Sequence, residues 1–134
     1  MVTSTVTYEG ELRTNSVHLK SGNTIITDAP IDNNGKGEAF SPTDTVATGL
    51  ASCMLTIMGI KAKAMQINIE GAHANVTKIM GVEPRRITRI DVEFQLPFDL
   101  DDKTKTILEK AALTCPVHYS LHPDIKKNIK FNWG

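Results

Sequence analysis

Hydrophobic and polar positions change their period several times along this chain. From Val2 to Lys20 apolar and polar residues alternate, with threonine and valine prominent and a break at Glu9-Gly10. This pattern predicts two half-buried strands joined by a turn. A third strand is predicted over Asn23 to Thr27, after a turn at Ser21-Gly22. The segment from Asp28 to Gly37 is rich in turn-forming residues and predicts an exposed loop.

A long helix is predicted next. Ser41-Pro42-Thr43-Asp44 offers an N-cap serine, a proline at the first helical position and an acid three residues after the cap. The helix is predicted to run to about Gln66. Its stretch from Thr45 to Ile60 carries no charge and is apolar on nearly all sides, and at about sixteen residues it is shorter than the roughly twenty that span a bilayer. We therefore expect a helix buried in protein.

The apolar helix also predicts an oligomer. A helix without a polar face needs cover on every side, and small residues such as Gly49 and Gly59 would let another backbone approach closely. One modest sheet in a chain of 134 residues covers a single side. We therefore expect a homodimer.

The second half of the chain predicts two strands, then two helical segments and a final strand. Two long strands joined at Gly81-Val82-Glu83 predict an antiparallel hairpin. The predicted elements of this half are strands at Ile67 to Met80 and Pro84 to Leu96, a helix from Asp101-Asp102 to about Thr114, a short helical piece at Pro116 to Leu121, and a strand at Ile125 to Trp133. The order βββ-α-ββ-α-β predicts an α+β fold in a single domain over residues 1–134.

Charge and the N-terminus limit the classes of function. Fifteen basic residues balance fifteen acidic residues, so no long-range field would gather nucleic acid or anionic lipid. We expect no nucleic-acid or membrane partner. The first residues, Met-Val-Thr-Ser-Thr, show neither the basic nor the apolar region of a secretory signal. We expect a cytoplasmic, reducing compartment, in which an oxidised cysteine pair would be transient and functional.

Two cysteines are the main candidates for chemistry. Cys53 lies inside the apolar helix and Cys115 stands directly before Pro116, 115 − 53 = 62 residues away. This spacing is too wide for a CxxC redox motif or a structural zinc pair. Free cysteines are often small buried hydrophobes, so packing is the plain alternative.

The two cysteines differ in what would make them reactive. Cys53 needs a cation to favour its thiolate, and Arg13 on the second strand is the candidate, with Asp44 or Glu38 as the acid that holds the arginine. Cys115 would precede a short helix whose free amides favour a thiolate. From residue types alone, Cys115 is the better nucleophile.

A metal site is an open alternative at Cys115, His118 and His122, whose histidines stand one helical turn apart. His122-Pro123 is expected to break that helix, and only Asp124 offers a supporting acid. We therefore expect no metal. Gly35-Lys36-Gly37 lacks the rest of a phosphate loop, and no dinucleotide or serine-hydrolase motif is present, so no cofactor is expected.

These motifs resemble the OsmC/Ohr family of thiol-dependent peroxidases. The resemblance lies in Ser-Pro-Thr-Asp at the helix start, Ala-Ser-Cys-Met at Cys53 and Cys-Pro-Val at Cys115, and it extends over essentially the whole chain. It implies antiparallel sheets packed around a long buried central helix, in an intertwined homodimer with sites at the subunit interface.

The resemblance also implies a mechanism of stress defence. Cys53 would attack an organic hydroperoxide and become a sulfenic acid, Cys115 would convert it to a disulfide, and a dithiol of the lipoyl type would restore both thiols. Arg13 would stabilise the Cys53 thiolate. Family members such as OsmC carry glutamates at the two positions after the helix proline, where this chain has Thr43 and Asp44, so Asp44 is the first choice to position Arg13 and Glu38 the second.

A second class of function stays open beside the enzyme. It is a non-catalytic module of the same fold that binds an apolar ligand or senses redox state, with the cysteines kept for packing.

Overall fold

The computed structural model describes all 134 residues, and its helices and strands follow the predicted order. The elements are β1 (Ser4–Gly10), β2 (Arg13–His18), β3 (Thr24–Asp28), α1 (Pro42–Ala64), β4 (His73–Gly81), β5 (Arg86–Leu96), α2 (Asp102–Ala112), α3 (Pro116–Ser120) and β6 (Lys126–Trp133), with one 3-10 turn at Ile31–Asn33. The α+β class is confirmed. The chain forms two compact units, Met1–Val46 and Ala47–Gly134, which are described in turn.

The first unit contains a three-stranded antiparallel sheet in the order β1-β2-β3. The β1–β2 turn lies at Glu11 and Leu12, which both have positive φ, so the predicted break at Glu9-Gly10 is displaced by two residues. Between β2 and β3 the register places Arg13 opposite Asp28. This pairing brings two opposite charges to the same level of the sheet.

The loop predicted from Asp28 to Gly37 differs from expectation at its first residue. Asp28 is the last residue of β3, is fully buried, and donates its backbone N–H to the carbonyl oxygen of Phe40 at 3.1 Å. Further along, Ile31 is 77% exposed, as expected for a surface loop. Asp28 is buried despite its charge because it has a charged partner in β2.

The start of α1 is fixed by a reciprocal capping box, as predicted. The Ser41 backbone N–H donates to Asp44 Oδ2 at 2.9 Å, and the Asp44 backbone N–H donates to Ser41 Oγ at 3.0 Å. These bonds satisfy two of the amides that a helix N-terminus leaves free. The helix ends at Ala64, two residues before the expected end at Gln66.

The second unit is built on a sheet in the order β4-β5-β6. The β4–β5 hairpin is antiparallel, as predicted, but β6 runs parallel to β5, with Val92 opposite Ile129. The sheet is therefore mixed, whereas antiparallel sheets were expected. The connection from β5 to β6 contains α2 and α3, and a crossover of this kind is what a parallel pair requires.

Residues 67–72 do not belong to β4, although the sequence predicted a strand from Ile67. The Ile67 N–H donates to the carbonyl oxygen of Ala62 at 2.8 Å, and the Ala72 N–H donates to that of Ile69 at 3.0 Å. These local bonds turn the chain after α1, and Gly71 adopts a positive φ of 95° in the same bend. The strand begins only at His73.

The core of the second unit lies between β5 and the helices. Alternate residues of β5 are buried, and they pack in one cluster with apolar side chains of α1 and α2. Phe94 stacks on Phe131 with ring centroids 5.1 Å apart. The fully buried members of this core include Leu50, Met54, Met58, Ile90, Val92, Phe94, Leu96, Leu108, Ala112 and Cys115.

Helix α1 is covered on one side only within the single chain. At 23 residues it has the length and apolar composition of a membrane-spanning helix, but Leu50, Met54 and Met58 are buried in the core of the second unit. A core helix of this kind satisfies the same criteria. Val46 and Ile60 are 42% and 61% exposed, so the cover expected on every face is not supplied by this chain alone.

Truncation of Phe94 tests this core. Phe94→Ala removes a fully buried ring and its stacking on Phe131, so we expect a loss of about 3–5 kcal/mol in the free energy of unfolding, measured by urea titration. Lys126→Ala, at an exposed position of β6, is the control and should change stability by less than about 0.5 kcal/mol. Equal effects of the two substitutions would contradict the assignment of Phe94 to the core.

Candidate active site

The fold of the second unit brings the two cysteines together. Cys53 lies in the middle of α1, Cys115 is the N-cap residue of α3, and the Cys53 side chain lies close enough to the Cys115 thiol to raise its pKa. Both thiols are free. Residues 62 positions apart in sequence thus form an adjacent dithiol, which spacing alone could not establish.

The two thiols differ in exposure. Cys115 is fully buried, whereas Cys53 is partly exposed. Burial raises the pKa of the Cys115 thiol, and the neighbouring Cys53 side chain raises it further. The backbone N–H of His118 donates to Cys115 Sγ at 3.2 Å and opposes this effect without overcoming it.

These facts correct the expectation, drawn from residue types, that Cys115 is the better nucleophile. The amides of α3 do contact its sulfur, but α3 has only five residues and the sulfur is out of solvent. Desolvation disfavours the thiolate more than the backbone amides of His118 and Val117 favour it. Cys53 is the thiol that solvent reaches.

The alternative metal site at Cys115, His118 and His122 does not assemble. The His118 ring packs edge-on against Tyr119, and burial and the charge of Lys127 lower the pKa of His118. His122 Nδ1 accepts a hydrogen bond from the Asp124 backbone N–H at 3.0 Å. No group of three or more histidine, cysteine, aspartate or glutamate side chains is placed to hold a metal ion.

In the first unit, Arg13 is held by a carboxylate in bidentate geometry. Arg13 Nε lies 2.7 Å from Asp28 Oδ1, and Nη2 lies 2.8 Å from Asp28 Oδ2. The Asp28 side chain is 1% exposed and that of Arg13 is 28% exposed. The hydrogen bond from Arg13 lowers the pKa of Asp28, and the same bond raises the pKa of Arg13.

Asp28 is the acid that the sequence interpretation missed. Asp44, the first choice to hold Arg13, forms the capping box of α1. Glu38, the second choice, lies 3.8 Å from Arg13 Nη2 and is largely exposed, so it is a secondary partner. The signal in the sequence was the β2–β3 hairpin, which brings Arg13 to the end of the third strand, where Asp28 follows Thr27.

The family follows from the comparison with known proteins. The model of the family described as OsmC-like protein matches residues 35–130. The chain belongs to the OsmC-like protein family. The motifs at Ser41, Cys53 and Cys115 all fall inside the matched range, so the resemblance stated from the sequence is confirmed. No match was found among curated protein sequences.

Solved structures agree with this OsmC-like assignment. A crystal structure from Psychrobacter arcticus 273-4, of a protein provisionally named for an osmotic-stress-induced and detoxification response, is 57% identical over 98% of this chain and 96% of its own, with a TM-score of 0.96. An organic hydroperoxide resistance protein OsmC from Legionella pneumophila is 15% identical over 98% of both chains, with a TM-score of 0.73. The organic hydroperoxide resistance protein OhrB of Bacillus subtilis is 18% identical over 98% of both chains, with a TM-score of 0.65. The last two show that the fold is shared.

Selective alkylation tests the unequal exposure of the two thiols. With limiting iodoacetamide at neutral pH, we expect Cys53 to be labelled and Cys115 to be spared, because Cys115 is buried and its raised pKa leaves less thiolate. Mass spectrometry of the peptides measures both sites, and urea-unfolded protein, in which both should react, is the control. Preferential labelling of Cys115 in the folded protein would contradict the description.

The acid dependence of stability tests the Arg13–Asp28 pair. The folded-state pKa of Asp28 lies below its ordinary value of 3.8, so its stabilising effect is present above pH 3.8 and is lost as pH falls through the depressed pKa. We expect Asp28→Asn to unfold at lower urea than wild type at pH 7, with the difference shrinking below pH 3.8. Asp99→Asn, which removes an exposed carboxylate of the second unit, is the matched control. A difference that does not change with pH would contradict an ionised, paired Asp28.

Proposed function

We propose that this protein is a cytoplasmic, thiol-dependent peroxidase that reduces organic hydroperoxides in stress defence, with Cys53 as the attacking cysteine and Cys115 as its partner. One observation carries the proposal: a member of the OsmC-like family holds two free thiols next to each other, one partly exposed and one buried. The relatives from Legionella pneumophila and Bacillus subtilis are named for organic hydroperoxide resistance and share this fold.

The first chemical step is attack on the peroxide bond. The Cys53 thiolate displaces an alkoxide from the distal oxygen of the hydroperoxide, so that the O–O bond breaks and an S–O bond forms. The alkoxide takes a proton and leaves as an alcohol. Cys53 is thereby oxidised to a sulfenic acid and the hydroperoxide is reduced.

The second step forms the disulfide. Cys115 Sγ attacks the Cys53 sulfenic sulfur, its proton leaves with the hydroxyl group as water, and an S–S bond replaces the S–O bond. A dithiol reductant of the lipoyl type then reduces the disulfide by two exchange steps and becomes a disulfide itself.

The difference in exposure supports this order of steps. A buried Cys115 with a raised pKa is shielded from the peroxide and stays a protonated thiol until its neighbour is oxidised. Cys53, which is partly exposed, is the one that meets the substrate. The contact between the two side chains then makes the second step local.

The proposal assigns Arg13 the role of stabilising the Cys53 thiolate and polarising the hydroperoxide. An arginine keeps its charge when partly buried and presents a planar set of donors. The bidentate bond to the buried Asp28 fixes the orientation of that guanidinium, and Glu38 adds a second carboxylate at 3.8 Å. Asp28 is therefore proposed as the residue that positions Arg13. That role was open because this chain has Thr43 and Asp44 where family members such as OsmC have glutamates.

A homodimer belongs to the same proposal. Val46 and Ile60 of α1 are exposed, and so are Val6, Tyr8 and Ile25 of the first sheet, at 60%, 64% and 60%. In the sheet register, Val6 and Tyr8 point to the same face as Ile25, which gives that face an apolar surface. A second copy of the chain is the simplest cover for these surfaces.

Turnover measurements with matched variants test the proposal. With cumene hydroperoxide and dihydrolipoamide, Cys53→Ser should lower kcat/KM by about a thousandfold or more, because the nucleophile is lost. Arg13→Gln should lower it by about a hundredfold, and Asp28→Asn by about tenfold, because the first removes and the second misorients a charge at the transition state. Cys115→Ser should still consume one equivalent of hydroperoxide but lose sustained turnover.

The exposed Lys20 supplies the control, since Lys20→Gln removes a cation from the same unit as Arg13. Wild-type turnover in Cys53→Ser would reject the proposed mechanism. Absence of turnover in the wild type, with retained binding of an apolar ligand, would support the non-catalytic module instead.

A further inference from the structure

The loop of residues 29–40, between β3 and α1, folds back on itself. The Asn33 and Gly35 N–H groups both donate to the carbonyl oxygen of Pro30 at 2.9 Å. The Gly37 N–H donates to the carbonyl oxygen of Ala29 at 3.1 Å. The Gly35 backbone lies so close to Ala29 that an added Cβ would stand 1.7 Å from the Ala29 carbonyl oxygen. The loop is therefore closely packed on itself and has a defined shape.

One backbone bond and one ion pair tie this loop to the β1–β2 turn. The Ala29 N–H donates to the carbonyl oxygen of Leu12 at 3.0 Å. Lys36 Nζ lies 2.7 Å from Glu11 Oε2. Glu11 and Leu12 form the turn, and Arg13 follows directly as the first residue of β2. The ion pair therefore holds the loop against the segment that leads into Arg13.

A second carboxylate of the same loop lies at Arg13 itself. Glu38 stands two residues after Lys36, and its Oε2 is 3.8 Å from Arg13 Nη2. The hydrogen bond from Arg13 is the main cause of the lowered pKa of Asp28. The backbone N–H of Glu38 and the charge of Lys36 lower that pKa further. The loop that Lys36 anchors is thus part of the surroundings of the Arg13–Asp28 pair.

Asp28 stands where the two ends of the loop meet. The loop begins after Asp28, and the Asp28 N–H donates to the carbonyl oxygen of Phe40 at the other end. Asp28 engages Nε and Nη2 of Arg13, so Nη1 is the nitrogen that Asp28 leaves for other acceptors. A bidentate pair fixes the plane of a guanidinium, so the direction of Nη1 follows from the position of the carboxylate. A shift of the loop that moves Asp28 would therefore turn Nη1.

We propose that Glu11 and Lys36 are positioning residues for Arg13, because their ion pair holds the 29–40 loop against the β1–β2 turn and so fixes the Arg13–Asp28 pair. This inference rests on the peroxidase function proposed above. The side chains of Glu11 and Lys36 are 77% and 43% exposed. An exposed ion pair is weak, so the effect on turnover is smaller than that of Asp28→Asn.

Turnover of cumene hydroperoxide with dihydrolipoamide measures this effect, and the uncharged substrate excludes a change in substrate attraction. We expect Lys36→Gln and Glu11→Gln each to lower kcat/KM about threefold. The double variant should lose no more than either single variant, because both substitutions break the same pair. Lys36→Arg, which keeps the pair, should retain the wild-type value.

The matched control is Lys20→Gln, which removes an exposed cation of the first unit outside this loop. Its kcat/KM should stay at the wild-type value. An unchanged kcat/KM in Lys36→Gln, or an equal fall in Lys20→Gln, would overturn the proposal.

The Arg13→Gln background separates positioning from a general effect on the fold. If Lys36 acts through Arg13, adding Lys36→Gln to Arg13→Gln should cause no further loss of kcat/KM. A general disturbance of the first unit would instead lower kcat/KM threefold in both backgrounds. That second result would overturn the role assigned to Lys36.

A labelling measurement tests the same role without peroxide. Phenylglyoxal modifies arginine side chains, and mass spectrometry of the peptides gives the rate at Arg13. We expect this rate to rise about threefold in Lys36→Gln and to stay unchanged in Lys20→Gln, because a released loop frees the guanidinium. That result supports the positioning role even if the wild type shows no turnover. Equal rates in wild type and Lys36→Gln would overturn it.

Discussion

The packing of the inner face of β5 against α1 is the constraint on which the rest of the second unit depends. Ile90, Val92 and Phe94 lie under a helix whose Leu50 and Met54 are fully buried against the same cluster. Burial at this density leaves the helix little freedom to rotate. Since Cys53 precedes Met54 on that helix and Cys115 is itself a core residue, the same packing sets the two sulfurs side by side.

The same packing leaves the two cysteines with different exposure to solvent, Cys53 on α1 and Cys115 at the start of α3. Burial in the core raises the pKa of Cys115, and the backbone amides of His118 and Val117 oppose this rise only in part. Cys53, at the edge of the core, stays in reach of solvent. In the proposed mechanism, an oxidant that comes from solution therefore meets Cys53 first, and Cys115 reacts only with its neighbour.

The first unit contains a buried carboxylate that is paired with an arginine. Asp28 is fully buried, which is unfavourable for a carboxylate unless it is paired and hydrogen-bonded. The two bonds from Arg13 meet that need, and they also orient the guanidinium. The proposed mechanism requires a fixed, permanently charged arginine in this unit. Because the buried Asp28 holds Arg13, the mechanism is compatible with Thr43 at a position where family members such as OsmC carry a glutamate.

The sequence by itself determined what depends on neighbours along the chain: the alternation of β5, the capping box at Ser41 and Asp44, the α+β order and the family motifs at both cysteines. Tertiary structure decided the rest. The parallel direction of β6, the burial that raises the pKa of Cys115, and the choice of Asp28 over Asp44 as partner of Arg13 depend on which strands pair and what is buried. Hydrogen bonds and periodicity act over a few residues and can be seen in sequence, whereas desolvation and ion pairing depend on three-dimensional neighbours that residue types alone do not specify.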